Sequence, residues 1–206
     1  YWDKLAIENG FSGMKFAFQT ISMDLEHNSE KALFNYDIEF QPTYAYQDLF
    51  ADKYSTLRKI YGKSSNFFEK HFGVNPLRFI TKKLKVSATG VGTLSKVNYD
   101  EAWKAILDKK VEDNTRIPGA FVEWDNTSRH GDRGRVYEGA TPQKFQKYMS
   151  ALIKKAKNEY HKDYIFINAW NEWAEGAHLE PDEKNKYGYL EALKDALTEN
   201  GEFPTR

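Results

Sequence analysis

Apolar residues recur at helical spacing over Tyr99–Lys109, where Ala102, Trp103, Ile106 and Leu107 fall on one face and predict an amphipathic helix. Thr141-Pro142 opens a second helix, with Thr141 as N-cap and Pro142 at the first position. Its inward stripe is Phe145, Tyr148, Met149, Leu152 and Ile153. A third helix spans Tyr187–Leu197, with Leu190, Leu193 and Leu197 turned inward. Between these helices lie two strand-like runs. Ile117–Trp124 ends in Asp125-Asn126-Thr127, and Tyr164–Trp170 is almost continuously apolar, as a strand covered on both faces should be.

Patterning upstream is weaker. Trp2–Asn9 reads as the end of a helix closed by Asn9-Gly10, and Gly13–Gln19 alternates like a strand. Residues 20–97 show no dominant period and read as an insertion-like region. Within it the sequence predicts a helix over Tyr46–Tyr61 and a loop over Gly73–Pro76. A short strand over Lys83–Ser87 is expected before a turn at Gly90 and Gly92.

Helices alternating with strands are the rhythm of an α/β protein with parallel strands. Neither GxGxxG nor GxxxxGK[ST] occurs, so a doubly wound nucleotide-binding sheet has no phosphate cradle to support it. The remaining expectation is a (β/α)8 TIM-barrel type of fold, with chemistry at the carboxyl ends of its strands. Only three strands are clear, whereas a closed barrel needs eight and an open one leaves unpaired edges. Residues 1–206 are therefore expected to form one domain, the C-terminal half of such a barrel, completed by an N-terminal half or by a second copy. The opening Tyr1-Trp2-Asp3, without an initiator Met or a leader, agrees with a processed chain or a fragment.

Composition narrows the function. Thirty Lys+Arg balance thirty Asp+Glu, so the cationic excess of a nucleic-acid-binding protein is missing. No apolar run approaches the ~18 residues of a membrane span. The absence of cysteine excludes disulfides, thiolate metal sites and a catalytic thiol, and leans toward a reducing, cytoplasmic compartment. The five histidines show no HExxH or paired spacing, so no metal is expected. Aromatic residues make up 16% of the chain, a high share that reads first as core filler and also suits a groove that stacks on sugar rings.

The chemistry concentrates in Asn168-Ala169-Trp170-Asn171-Glu172-Trp173-Ala174-Glu175-Gly176, just after the last apolar strand. Glycoside cleavage needs two carboxyl groups around the anomeric carbon, one protonated and one ionised. Glu172 and Glu175 are the candidates, with Trp170 and Trp173 as an apolar wall that separates their pKa values and stacks on the sugar. Asn171 is placed to bind hydroxyls. Trp124, Asp125, Asn126 and Arg129 follow the preceding strand and should neighbour the pair. Two readings stand side by side: Asp125 and Asn126 bind sugar hydroxyls while Arg129 fixes Asp125 or a substrate carboxylate, or Asp125-Asn126 is a turn and cap device. His178 is either a substrate ligand or a structural residue. Glu180-Pro181-Asp182 shapes the loop.

The run from Asn168 to Gly176, continuing to Leu179-Glu180-Pro181-Asp182, resembles the signature of WbsX-type proteins, a glycosyltransferase-labelled family of polysaccharide loci similar to glycoside hydrolase family 99. Trp124-Asp125-Asn126-Thr127-Ser128-Arg129 resembles another block of the same group, with Ser128 where the group has Pro. Tyr99–Trp103, Gly139–Pro142 and Tyr187–Glu191 also fit. The resemblance implies a (β/α)8 barrel without metal or organic cofactor, acting on the glycosidic bonds of a cell-surface or O-antigen type polysaccharide. It further implies that Glu172 deprotonates the sugar's own 2-hydroxyl and that Glu175 acts as acid and then base. Alternatives are a glycosyltransferase of lipopolysaccharide biosynthesis and a non-catalytic glycan-binding or assembly module.

Overall fold

The computed structural model describes residues 1–20, 33–46, 49, 86–87, 90–91, 94–111 and 113–204. Helix α1 (Trp2–Glu8) precedes two parallel strands, β1 (Ala17–Thr20) and β2 (Tyr36–Glu39), paired from Ala17↔Tyr36 to Thr20↔Glu39. A short hairpin of β3 (Val86–Ser87) and β4 (Gly90–Val91) follows. Then come β5 (Ser95–Asn98), α2 (Tyr99–Asp108), β6 (Arg116–Ile117) and β7 (Gly119–Phe121). Beyond them lie α3 (Thr127–His130), β8 (Arg135–Glu138), α4 (Pro142–Lys155) and β9 (Phe166–Asn168). The last elements are β10 (Asn171–Glu172), β11 (Ala177–His178) and α5 (Gly188–Glu199).

One parallel order runs through these pieces. β2 pairs with β6, and β7 pairs with β9. Only Pro118 separates β6 from β7, and its carbonyl accepts a 3.1 Å bond from the Phe166 amide, so the segment 116–121 links the two ladders. The lateral order is thus β1, β2, β6/β7, β9, all parallel. β5 and β8 form a separate parallel pair. Gly119 is required where the strands meet, because a Cβ there would stand 1.7 Å from the Glu39 carbonyl oxygen.

The two faces of the β1–β2 ladder differ sharply. Thr20, Asp37 and Glu39 lie on one face with Arg116 of β6, and all four are buried. Arg116 bonds Asp37 at 2.8 Å, the Thr20 hydroxyl donates to Asp37, and the Tyr160 hydroxyl donates to Glu39 at 3.0 Å. These partners satisfy charges that would otherwise be costly to bury. The opposite face carries Ala17, Gln19, Tyr36 and Ile38, none of them fully buried. Tyr36 meets Tyr164 edge-on, and Tyr164 meets Phe166 in the same way.

The helices pack as their sequences dictate. Asn98 caps α2 by accepting from the amides of Asp100 and Glu101, and Thr141 caps α4 by accepting from Lys144. Trp103, fully buried, stacks on Phe121 and Tyr148 and meets Phe145 edge-on, tying α2 and α4 to β7. Asp100 fastens the same helices from outside, accepting from Lys144 at 2.7 Å and Tyr148 at 2.6 Å. Along α5 the buried stripe is Tyr189, Ala192 and Ala196, with Leu190, Leu193 and Leu197 half-buried beside it.

The structure corrects several expectations. The inward line of α5 is one residue away from its leucines, because Ala192 and Ala196 let the helix approach α4 closely. Tyr164–Trp170 is not covered on both faces: Tyr164 is 43% and Phe166 49% exposed, and the strand is confined to Phe166–Asn168. The strand expected over Ile117–Trp124 starts at Arg116 and is interrupted by Pro118, which has no amide to give a ladder. Gly90 belongs to strand β4 rather than to a turn. Gly13–Gln19 narrows to a strand beginning at Ala17. Strands β2, β5 and β8 have no counterpart in the sequence reading; each is short and mixes polar with apolar residues. The Gly73–Pro76 loop and nearly all of the Tyr46–Tyr61 helix lie outside the described residues.

Candidate functional site

Immediately past β9 the chain folds into a small hairpin. β10 and β11 pair antiparallel, Asn171 opposite His178 and Glu172 opposite Ala177. Their connection is a single 3₁₀ turn, Trp173–Glu175, closed by Gly176 in the left-handed region at φ 61. Glu172 is the residue before this turn and Glu175 its last, and the Glu172 charge acts on the Glu175 carboxyl. Gly176 is dictated twice. Its backbone angle disfavours a side chain, and a Cβ would come within 3.2 Å of the Asp125 amide.

That approach marks the docking of two loops from adjacent parallel strands. The Asp125 amide donates to the Glu175 carbonyl at 2.7 Å, and the Ser128 hydroxyl donates to the Ala174 carbonyl at 3.0 Å. Ser128, where the resembling group has Pro, thus supplies a bond that proline lacks. Arg129 donates to Glu175 Oε1 at 3.2 Å. Its partner is Glu175, not Asp125.

Electrostatics distinguish the two acids. Burial raises the Glu175 pKa above the ordinary glutamate value, and the neighbouring Glu172 charge raises it further, against the opposing influence of Arg129 and His130. Glu175 is thus biased toward its neutral form while a second carboxylate stands within electrostatic reach.

The other residues fall into distinct environments. Asp125 Oδ1 accepts from the Thr127 amide at 2.9 Å and its hydroxyl at 2.6 Å, and Asn126 Oδ1 accepts from the Arg135 amide at 2.6 Å. The Asp125 side chain therefore serves the turn that opens α3, while that of Asn126 ties the loop to the start of β8. Trp124 is buried in the core. Trp170 and Trp173 are 54% and 51% exposed, and Asn171 is also exposed. Trp173 stacks on His178, with ring centroids 3.9 Å apart, and donates through Nε1 to Glu180 at 2.6 Å. His178 Nε2 lies 3.1 Å from Asp182 Oδ2.

A cavity of about 340 Å³ adjoins the hairpin, lined by Trp173, Pro181, Asp182, Glu183, Lys186 and Tyr187. Neither Glu172 nor Glu175 lines it. Sequence reasoning does not single out Lys186 and Tyr187 as site residues: Lys186 carries no motif, and Tyr187 enters only as the first residue of the Tyr187–Glu191 block and of a helix. It also passes over Glu39, whose pKa burial raises to about 7. Only recognition of β2 as an internal strand would expose Glu39 as a buried acid. Among the described residues no group of three His, Cys, Asp or Glu side chains is placed to hold a metal. No helix among them is long and apolar enough to cross a membrane.

A protein named "Uncharacterized protein WxcX" from Xanthomonas campestris pv. campestris is 36% identical over 104 residues, covering 50% of this chain and 15% of that relative. The protein of the same name from strain B100 is 37% identical over 103 residues, covering 49% and 15%. The matched segment thus spans only a small part of these relatives' own length. No solved structure matches the chain. The family described as Glycosyltransferase WbsX matches residues 1–193, and the chain belongs to that family.

Proposed function

We propose that this chain carries the acid/base centre of a carbohydrate-active enzyme that cleaves glycosidic bonds of a polysaccharide. The observation that carries this reading is the raised pKa of Glu175 beside Glu172, on a loop at the carboxyl end of a parallel strand. Glu175, its pKa raised by burial and by Glu172, donates its proton to the leaving glycosidic oxygen as the C1–O bond breaks. Glu172, as carboxylate, takes the proton of the sugar's 2-hydroxyl, and that oxygen attacks C1 to give a 1,2-anhydro sugar. Water then adds at C1, giving its proton to Glu175 while Glu172 returns the first proton to O2. Proton count and charge balance, and the configuration at C1 is retained through two inversions. The distance between two carboxyl groups foretells stereochemistry only where the enzyme supplies the nucleophile or activates water, and here the substrate supplies its own nucleophile.

The lateral order β1, β2, β6/β7, β9, which the separate β5–β8 pair does not interrupt, supports a barrel-type sheet, because neighbouring parallel strands linked by helices are its building unit. The less buried face with Tyr36, Ile38, Tyr164 and Phe166 corresponds to the interior of such a barrel, and other strands would cover it. A second reading is favoured by the family description itself, which names a glycosyltransferase. The same pair performs transfer when an acceptor hydroxyl replaces water in the second step.

The test uses the full-length protein with mannan-type and O-antigen polysaccharides, scored by newly released reducing ends. Glu175→Gln and Glu172→Gln should each lower turnover about 10²–10⁴-fold while polysaccharide binding persists. Binding without turnover in the parent protein would replace this reading with that of a glycan-binding module. Products appearing only with an added acceptor would establish transfer.

A further inference from the structure

Trp173 combines exposure with a network of anchoring contacts. The residue is 51% exposed, yet its indole is held in place from two sides. His178 stacks on it at 3.9 Å and 18°, Glu180 accepts its N–H at 2.6 Å, and Asp182 holds the imidazole of His178 at 3.1 Å. Asp182 is itself fixed by the amide and side chain of Asn185. Fixing a large exposed ring costs conformational freedom without burying its apolar surface, so the arrangement prepares a surface for something that binds there.

What that surface faces is the cavity of about 340 Å³, at the low end of the ~300–1,000 Å³ common for ligand sites. Tyr187, 63% exposed, contributes a second aromatic ring. The turn between the two rings is tied by reciprocal main-chain bonds between Asp182 and Lys186, with Lys186 in the left-handed region at φ 54. Two aromatic rings, a carboxylate (Glu183) and an ammonium group (Lys186) are what a pyranose ring requires. Its C–H faces stack on the rings, and its hydroxyls bond the charged groups.

We propose that the cavity lined by Trp173 and Tyr187 is a saccharide subsite separate from the Glu172/Glu175 centre, taking one pyranose unit of the polymer. His178 and Glu180 are positioning residues that hold the Trp173 indole. This inference rests on the carbohydrate reading above, but not on any catalytic step. Trp173 directly follows Glu172 in the chain, and Glu172 itself does not line the cavity.

The experiment is a titration of the ¹⁵N-labelled full-length protein with methyl α-D-mannopyranoside, methyl β-D-glucopyranoside and methyl β-D-galactopyranoside. The Trp173 indole N–H signal is followed, assigned through Trp173→Phe. At least one glycoside should shift it saturably, with affinity in the roughly millimolar range, and Tyr187→Ala should weaken binding about three- to tenfold. His178→Ala should weaken it similarly, and His178→Phe, which retains a stacked ring, should restore it. A Trp173 signal unmoved by all three glycosides, or parent-like binding by Tyr187→Ala, overturns the subsite. Failure of rescue by His178→Phe overturns the positioning role. Turnover without a shift would sink this subsite and spare the acid/base centre; a shift without turnover would do the reverse.

Discussion

Arg129 donates to Glu175 Oε1 at 3.2 Å across the seam between the loops that follow β7 and β9. Arg129 is 52% exposed and Glu175 20%, so solvent screens the pair and its contribution to stability is small. Its consequence is for protonation: the guanidinium opposes the effects of burial and Glu172 on the Glu175 carboxyl. The guanidinium thus keeps the Glu175 carboxyl from rising as far as burial and Glu172 alone would take it, which suits the acid-then-base role proposed for it.

Replacing Arg129 with Gln should raise the Glu175 pKa further. The alkaline limb of the pH–rate profile, where the acid loses its proton, should then move to higher pH. Rate profiles of the full-length parent and Arg129→Gln proteins measure this. A limb that stays in place would mean that Glu175 is not the acid.

Gly176→Ala should destabilise the hairpin by about 1–2 kcal/mol, since alanine resists φ 61 and its Cβ would crowd the Asp125 amide at 3.2 Å. Thermal denaturation gives the stability change. Activity should fall more than stability, because the bond from the Asp125 amide to the Glu175 carbonyl lies at the crowded point.

Glu39 offers a pH test independent of the site. Burial raises its pKa from 4.5 to about 7, against hydrogen bonding from Tyr160 and the charges of Lys109 and Arg116. Below pH 4.5 the group is neutral folded and unfolded and contributes nothing to the pH dependence. As pH rises from there through 7 the unfolded state ionises first, and stability falls. Glu39→Gln should therefore stabilise the protein at pH 8 by an amount on the order of 3 kcal/mol, less whatever the amide loses in hydrogen bonding. The difference should vanish near pH 4. Chemical denaturation at several pH values decides it.

Thr141→Ala removes the acceptor for the Lys144 amide at the start of α4 and should cost about 1 kcal/mol. Thr141→Ser should recover most of that loss. A denaturation midpoint unchanged in both variants would show that packing of α4 alone holds its first turn.

Much of this protein is determined by sequence alone wherever a periodic apolar face coincides with a local stop or start signal. The Asn98 and Thr141 caps, helices α2 and α4, and the placing of Glu172 and Glu175 just after a strand are of this kind, since each depends on residues within a turn or two. Tertiary structure decided what depends on distant partners. Strand β2 exists because Asp37 meets Arg116 and Glu39 meets Tyr160, charges that by local rules mark a loop. Trp124 entered the core while Trp170 and Trp173 stayed outside, and the partner of Arg129 became Glu175. Residue type sets what a side chain is able to do, but desolvation and contact across the fold are sums over neighbours that no local stretch of sequence contains.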